Sequence, residues 1–498
     1  VALLIVGSWK RQLHLWHRWL GIVLGLLVLL WFGSGIVMMY VPYPVLTEQE
    51  RMVWLATIDA RQVRLNAWEA WQAAADPART EPAHADAVAP AKLPAKVRVT
   101  AVAGRPAYHF KADGHWLSVW ADTGQPLQVT PALAIASARS AAPGAQALSA
   151  ELIDIDQWSF GRLQDHRPLY RVQADDPAGS LLYISSRTGE LVRDTTRSER
   201  AWNWAGSVIH WIYFTPLRVH GQPWRQVVMW TSGAALLLAM LGMVLGIQRL
   251  RLRRRYAGGR RSPYRGWQAW HHWLGLSVGA LMMTWLFSGW LSVTPFDWLA
   301  SPGITAQDRL AFAGGPLHRD DLSIAVADIV QHRPGTLELE WRRIDGQLYL
   351  SALDRAHRQL LDAHTGAPAG PLPEARLLHA IQAMRPDAQL QAVQTLTSED
   401  SYHYSHHNTA VLPVLRAQFA LADDTTFYID AAQGQLVGYS DRNSQWNRWL
   451  FNGLHQLDFA AVIRARPLWD VLVIMLCLLG GTATLAGVVL GWRRLRKR

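Results

Sequence analysis

Cysteine is nearly missing from this chain of 498 residues: Cys477 stands alone, inside an apolar run. That excludes a disulfide within the chain and any thiolate metal cluster. Charge is scarce too, at 17% of residues against 50% hydrophobic, a balance that points away from a soluble protein and towards spanning segments. No Gly-rich dinucleotide fingerprint follows a strand and no flavodoxin-like segment is present. The chain therefore binds no nicotinamide or flavin cofactor in a standard domain of its own. Acidic residues are missing from one place in particular: eight arginines lie between Arg249 and Arg265 with no carboxylate among them.

What is there is organised by apolar runs. Four uncharged stretches are Trp19–Val41, Gln226–Gln248, Trp273–Phe296 and Val471–Trp492. Each exceeds the roughly 20 residues that a helix needs to cross the hydrocarbon core. The first is too long for a cleaved signal peptide. The net charge of +11 sits at their flanks: Lys10, Arg11 and Arg18, the Arg249–Arg265 arginines and five basic residues in Arg493–Arg498 leave 33 of the 49 cations elsewhere, against 38 acids. This is the positive-inside pattern rather than a nucleic-acid surface, so lipid and not nucleic acid is the expected partner. With all four stretches spanning, both termini and the basic loop face the cytoplasm, and two long inserts face outward. Outward is taken as a bacterial periplasm, which makes this a multi-pass protein of the inner membrane. The expected plan is 1–41 (N-terminus and first span), 42–225 (outer domain and lead-in), 226–248 (second span), 249–272 (basic loop), 273–296 (third span), 297–470 (outer domain and lead-in) and 471–498 (fourth span and basic tail).

The two halves repeat. An offset of 254 matches His17 with His271, Trp31 with Trp285, Ser34 with Ser288 and Gly35 with Gly289. Around the second span an offset of 245 matches Trp204 with Trp449, His210 with His455, Phe214 with Phe459 and Trp224 with Trp469. Both copies run in, out, in. The expected fold is a membrane protein whose four-helix bundle is built from two parallel repeats about a pseudo-twofold axis along the membrane normal. Each insert carries two alternating segments ending in a Gly turn, Val97–Leu127 and Leu163–Val192, then Leu337–Ala367 and Val414–Val437. Alternation with a Gly turn signals hairpins. Helical patterns precede them at Asn66–Ala75, Thr130–Ala141, Ser323–His332 and Glu374–Met384. Helix then hairpin, twice per insert, implies a small α+β domain on each insert.

Four histidines occupy repeat-equivalent places. His17 and His271 lie at the inner mouths of spans one and three; His210 and His455 lie outside, ahead of spans two and four. A single histidine at a helix end is an ordinary interfacial residue. Two symmetric pairs, each facing across a bundle axis, are what bis-histidine ligation of a b-type haem needs. No Cys-x-x-Cys-His is present, so covalent c-type attachment is excluded. Two b-type haems, one near each face, would shorten an electron's path across the membrane. His14, His220 and His272 are alternative ligands. Trp31, Trp285, Trp230, Phe32 and Phe287 lie on the helices between the pairs, where they would pack against the porphyrins or serve simply as lipid-facing or core aromatics. Arg18 on the inside, and Arg218, Arg464 and Arg466 on the outside, are candidates to meet haem propionates, although Arg18 also serves the positive-inside rule.

The strand–Asp-x-x-Thr-Gly–strand unit resembles the PepSY domain. The helix start His17-Arg18-Trp19-Leu20-Gly21 resembles the PepSY-associated transmembrane family. Residues 400–407, Asp-Ser-Tyr-His-Tyr-Ser-His-His, followed by Pro-Val-Leu-Arg, look like members linked to iron uptake. Characterised relatives include inner-membrane di-haem siderophore-iron reductases. The resemblance implies two periplasmic PepSY-like domains and a haem-dependent oxidoreductase. Electrons would pass from quinol or a separate cytoplasmic reductase to a periplasmic ferric siderophore or other ferric chelate, releasing Fe(II). His403, His406 and His407 would then be a periplasmic iron contact, although a polar surface loop explains them as simply. Two other roles fit the same residues: electron delivery to another periplasmic protein, and a non-redox PepSY module that binds or regulates a protease.

Overall fold

A computed structural model describes residues 2–76, 92–139, 141, 144–145, 148–161, 163–405, 410–459 and 465–496. The chain divides into two compact units, one of Val1–Tyr43, Ala201–Ser301 and Asn443–Arg498, the other of Pro44–Arg200 and Pro302–Arg442.

The first unit is built on four helices, Ala2–Met38, Gly221–Arg249, Trp267–Leu291 and Leu468–Leu495. All four are long and apolar enough to cross a membrane. The first and third each pack on both the second and the fourth. The first helix starts well before Trp19, because residues such as Lys10, Arg11 and Arg18 are good helix formers. His17 is therefore inside its helix and not at its mouth. The third stops at Leu291, short of the expected Phe296. Thr294, Phe296, Asp297 and Leu299 all take positive φ, a conformation that no right-handed helix continues.

Two lead-in segments precede the second and fourth helices. A short helix Arg197–Asn203 runs into a π turn at Trp204–Val208, and Arg442–Asn447 runs into another at Arg448–Gly453. In the first, Gly206 leaves helical geometry at φ −99 and ψ −105. A side chain there would meet Val37 at 3.0 Å. Asn203 donates to the Pro42 carbonyl at 3.0 Å, and Arg448 pairs with buried Asp458 at 3.4 Å. Wide π turns recur at functional positions, and each of these delivers a histidine.

The second unit holds fourteen described strands: β1 (Lys96–Val102), β2 (Arg105–Ala112), β3 (His115–Trp120), β4 (Leu148–Ile153), β5 (Leu169–Ala174), β6 (Leu181–Ser185), β7 (Leu191–Thr195), β8 (Glu338–Ile344), β9 (Gln347–Leu353), β10 (Arg358–Asp362), β11 (Leu390–Leu396), β12 (Val414–Phe419), β13 (Thr426–Asp430) and β14 (Gln435–Ser440). They form one six-stranded sheet, β10-β9-β8-β1-β2-β3, and two four-stranded sheets, β4-β5-β6-β7 and β11-β12-β13-β14. Each Gly-turn segment expected as a hairpin is three-stranded. Helix Ala67–Ala75 buries Ala67, Ala70 and Trp71 into the core of the six-stranded sheet, and Glu374–Met384 buries Leu377, Ala380 and Ile381 beside β12 and β13.

One expectation is corrected here. The inserts do not form one separate α+β domain each. β1 of the first pairs with β8 of the second, with Val99 opposite Leu339 and Thr100 opposite Glu338. Pairing closes two open edges, whose unpaired N–H and C=O groups would otherwise need cover. It also assembles a buried charge cluster. Glu338 meets Arg51, Arg98 (3.5 Å) and Arg358 (3.1 Å); Glu190 meets Arg98 and Arg51 (3.3 Å). The Thr100 hydroxyl lies 3.3 Å from Glu190 and 2.9 Å from His109 Nε2. Burial opposes the charge on Glu190, but Arg98, His109 and Arg51 outweigh it and hold its carboxyl down at about 2. Glu338 is likewise held well below the carboxylate range by Arg51 and Arg98.

Candidate functional site

The histidines are brought together as two pairs. His17, on the first long helix, and His271, on the third, face each other with ring centroids 6.1 Å apart and planes tilted by 35°. His17 Nδ1 lies 3.2 Å from the Leu238 carbonyl on the second helix, and His271 Nδ1 lies 2.9 Å from the Ala483 carbonyl on the fourth. A helical carbonyl is normally covered by the side chain one turn on. Here that residue is glycine: Gly242 after Leu238, Gly487 after Ala483. A Cβ at Gly242 would sit 2.7 Å from His17 Cε1, and one at Gly487 3.0 Å from His271 Cε1. Glycine opens the carbonyl and makes room for the ring that uses it.

His210 and His455, delivered by the π turns, form the second pair, also 6.1 Å apart and crossed at 72°. Their seats lie on the first and third helices. His210 Nδ1 is 3.0 Å from Ser34 Oγ, and the ring bonds the Trp31 carbonyl. His455 Nδ1 is 3.1 Å from Ser288 Oγ and 3.2 Å from the Trp285 carbonyl. The carbonyl–glycine spacing returns, as Trp31 with Gly35 and Trp285 with Gly289; their Cβ positions lie 3.5 and 3.3 Å from the rings. Burial, with the neighbouring His455, pushes the His210 imidazole down to about 3, and burial pushes His455 down to about 4. Both are neutral at neutral pH. His17 and Ser34 are 17 residues apart on one helix, about 26 Å at 1.5 Å rise per residue.

These pairs pass a simple test of fit for a metal between them. A metal–imidazole bond of about 2 Å, plus about 1 Å from nitrogen to ring centre, puts two trans imidazole centroids about 6 Å apart. All four Nδ1 atoms are taken by protein acceptors, which leaves Nε2 as the lone-pair nitrogen. A cavity of about 850 Å³ surrounds the first pair, within the usual range for ligand and cofactor pockets. Its walls include Gly21, Gly25, Gly275 and Gly279, which admit a flat group. Arg18, Arg265, Arg493 and Arg494 also line it, and among the described residues no carboxylate does.

The chain matches the family model of the PepSY-associated TM region over residues 14–381. It belongs to that family. A search of curated proteins finds no match.

Within this PepSY-associated protein the other sequence-derived residues are placed as follows. His272 lines the same cavity, with Nε2 3.0 Å from the Gly246 carbonyl and its ring edge-on to Tyr264. His14 accepts from Arg249 at 3.3 Å. His220 is exposed beside the start of the second helix. Trp31 and Trp285 bury indole nitrogens that have no protein acceptor, and Trp285 lies 5.9 Å from Phe32. Trp230 is mostly exposed, and Phe287 lies against Trp290. Arg218 stacks on Tyr213 and Trp224; Arg466 pairs with Asp470 and stacks on Trp469. Arg464, His406 and His407 lie outside the described residues.

His403 is a packing residue. Its ring stacks on Tyr428 at 5.0 Å, and Nε2 is 2.9 Å from the Val411 carbonyl. Among the described residues no group of three His, Cys, Asp or Glu is placed to hold a metal ion. Sequence reasoning missed Gly242, Gly487, Arg265, Arg493 and Arg494. The two glycines carried a usable signal: they are 245 residues apart, the offset that relates His210 to His455.

Proposed function

We propose that this family member carries electrons across a bacterial inner membrane through two b-type haems and delivers them to a ferric siderophore or other ferric chelate in the periplasm. The observation that carries the reading is the doubled geometry: two imidazole pairs with ring centroids 6.1 Å apart, each ring held through Nδ1 by an acceptor on a neighbouring helix. The bundle is read as two parallel repeats, with both termini and the arginine loop cytoplasmic and the strand unit periplasmic. Bound haem supplies a one-electron couple between ferric and ferrous iron at each pair.

The chain's own residues do the rest. His17 and His271 would ligate the inner group, His210 and His455 the outer. Arg18, Arg265, Arg493 and Arg494 would neutralise the propionates of the inner one. The apolar helices exclude water between the pairs. Electrons enter from membrane quinol or from a separate cytoplasmic reductase, and the ferric chelate takes one electron to become Fe(II), which a hard oxygen chelator holds less tightly.

The test is direct. Purified protein, reduced and freed of reductant, is mixed anaerobically with a ferric hydroxamate and a ferrous-specific dye. Re-oxidation of haem together with coloured ferrous complex is the expected result. Haem that stays reduced would move the acceptor from iron to a periplasmic protein. A chain that binds no haem at all would leave the non-redox PepSY role.

A further inference from the structure

The four histidine seats share one plan, a helical carbonyl exposed by a glycine one turn on, but they differ at the residue just before the glycine. In the first pair that place holds Leu241 and Ala486; in the second it holds Ser34 and Ser288. We infer that Ser34 and Ser288 are positioning residues for the second imidazole pair and set the redox potential of its haem separately from the first. The inference rests on the haem reading above.

Both serines are buried, at 2% and 0% exposure. Each hydroxyl is bonded twice. Ser34 Oγ donates to the Trp31 carbonyl at 3.2 Å and lies 3.0 Å from His210 Nδ1. Ser288 Oγ donates to the Trp285 carbonyl at 3.0 Å and lies 3.1 Å from His455 Nδ1. A buried helical serine commonly donates back to its own helix and stops there. Here the same oxygen also reaches a histidine on another segment, in both halves. With the hydroxyl proton committed to the carbonyl, Oγ has only lone pairs to offer. Nδ1 must therefore carry the hydrogen, and Nε2 is left bare for a metal.

The consequence is electronic. An acceptor on Nδ1–H raises the basicity of the ring and favours ferric over ferrous iron, which lowers the potential. At the second pair the acceptors include a side-chain hydroxyl beside the peptide carbonyl. At the first pair the acceptor is a peptide carbonyl, which no substitution removes. The potential at the second pair is thus adjustable by one side chain on each side.

The experiment is a spectroelectrochemical titration of the purified haem-loaded chain, with Ser34→Ala, Ser288→Ala and the double variant. His210→Ala, which retains the first centre alone, identifies which transition belongs to which pair. Both haems should be retained. The second-pair midpoint should rise, most in the double variant, and its ferric paramagnetic resonance signal should move, while the first-pair midpoint stays in place. The converse graft, Ala486→Ser, should lower only the first-pair midpoint. A second-pair potential that is unchanged or falls, or two centres that move together, overturns the inference. A wild-type chain without haem overturns the functional reading and this inference with it; two haems with unmoved potentials overturn this inference alone.

Discussion

In the helical unit four half-buried imidazoles each lie against a peptide carbonyl and a glycine. In the strand unit two carboxylates are buried as charges, each between arginines. The comparison shows two ways to keep a polar group inside. Spanning helices have their backbone bonds already made, and a glycine exposes one carbonyl for a second use without adding charge. A sheet assembled from distant parts of the chain brings opposite charges together, and each carboxylate is tolerable only while its guanidiniums remain. One arrangement leaves a nitrogen free for a ligand. The other sets each carboxylate between arginines and serves the fold.

The largest expected effect breaks the charged side of that contrast. Glu338→Gln strips three guanidiniums of their common partner and should destabilise the strand unit by roughly 3–5 kcal/mol. Thermal unfolding followed by far-ultraviolet circular dichroism checks this, with the Soret absorbance unchanged before the transition. Acid should act on the same cluster. Glu190 is held down at about 2 from an ordinary 4.5, and Glu338 lower still. A depressed carboxyl contributes stability that is fully present above its unfolded value and is lost as pH falls through its folded value. Melting temperature of the strand unit should therefore hold steady from pH 7 to about 5 and drop steeply between about 4.5 and 2. A decline already complete at pH 5 would assign the cluster a lesser role.

The neutral side is sharpened by a smaller substitution. Gly242→Ala places a methyl 2.7 Å from His17, whereas Gly35→Ala places one 3.5 Å from His210. The first should weaken binding of the first-pair haem about tenfold, about 1.4 kcal/mol, because the ring must shift by a few tenths of an ångström. The second should leave both haems in place. Haem retention during gel filtration distinguishes them. The smallest effect belongs to His403→Phe. Stacking on Tyr428 survives and one hydrogen bond is lost, about 1 kcal/mol in strand-unit stability, with the haem spectrum unmoved.

Much of this was readable before any coordinates. The His17 and His271 motif, and the 245-residue offset from His210 to His455, matched the same residues that the structure pairs, because side chains are what a sequence displays. The seats were not readable. Leu238, Ala483, Trp31 and Trp285 contribute carbonyls, and a carbonyl has no letter of its own. Helix ends were displaced where charged residues such as Arg11 and Arg249 continue a helix beyond its apolar run. Strands β4 and β11 escaped because edge strands with exposed residues such as Glu151, Gln391 and Gln394 lack clean alternation. The β1–β8 seam joins residues about 240 apart, and no local pattern marks which open edges will meet.

The most direct measurement is the haem content of the purified chain and its histidine variants, from oxidised and dithionite-reduced spectra. The account expects two b-type haems in the wild type and one in each single alanine variant. His17→Ala and His271→Ala should lose the same haem, and His210→Ala and His455→Ala the other. A colourless wild type from haem-replete cells, or a His17→Ala variant that loses the same centre as His210→Ala, would contradict it.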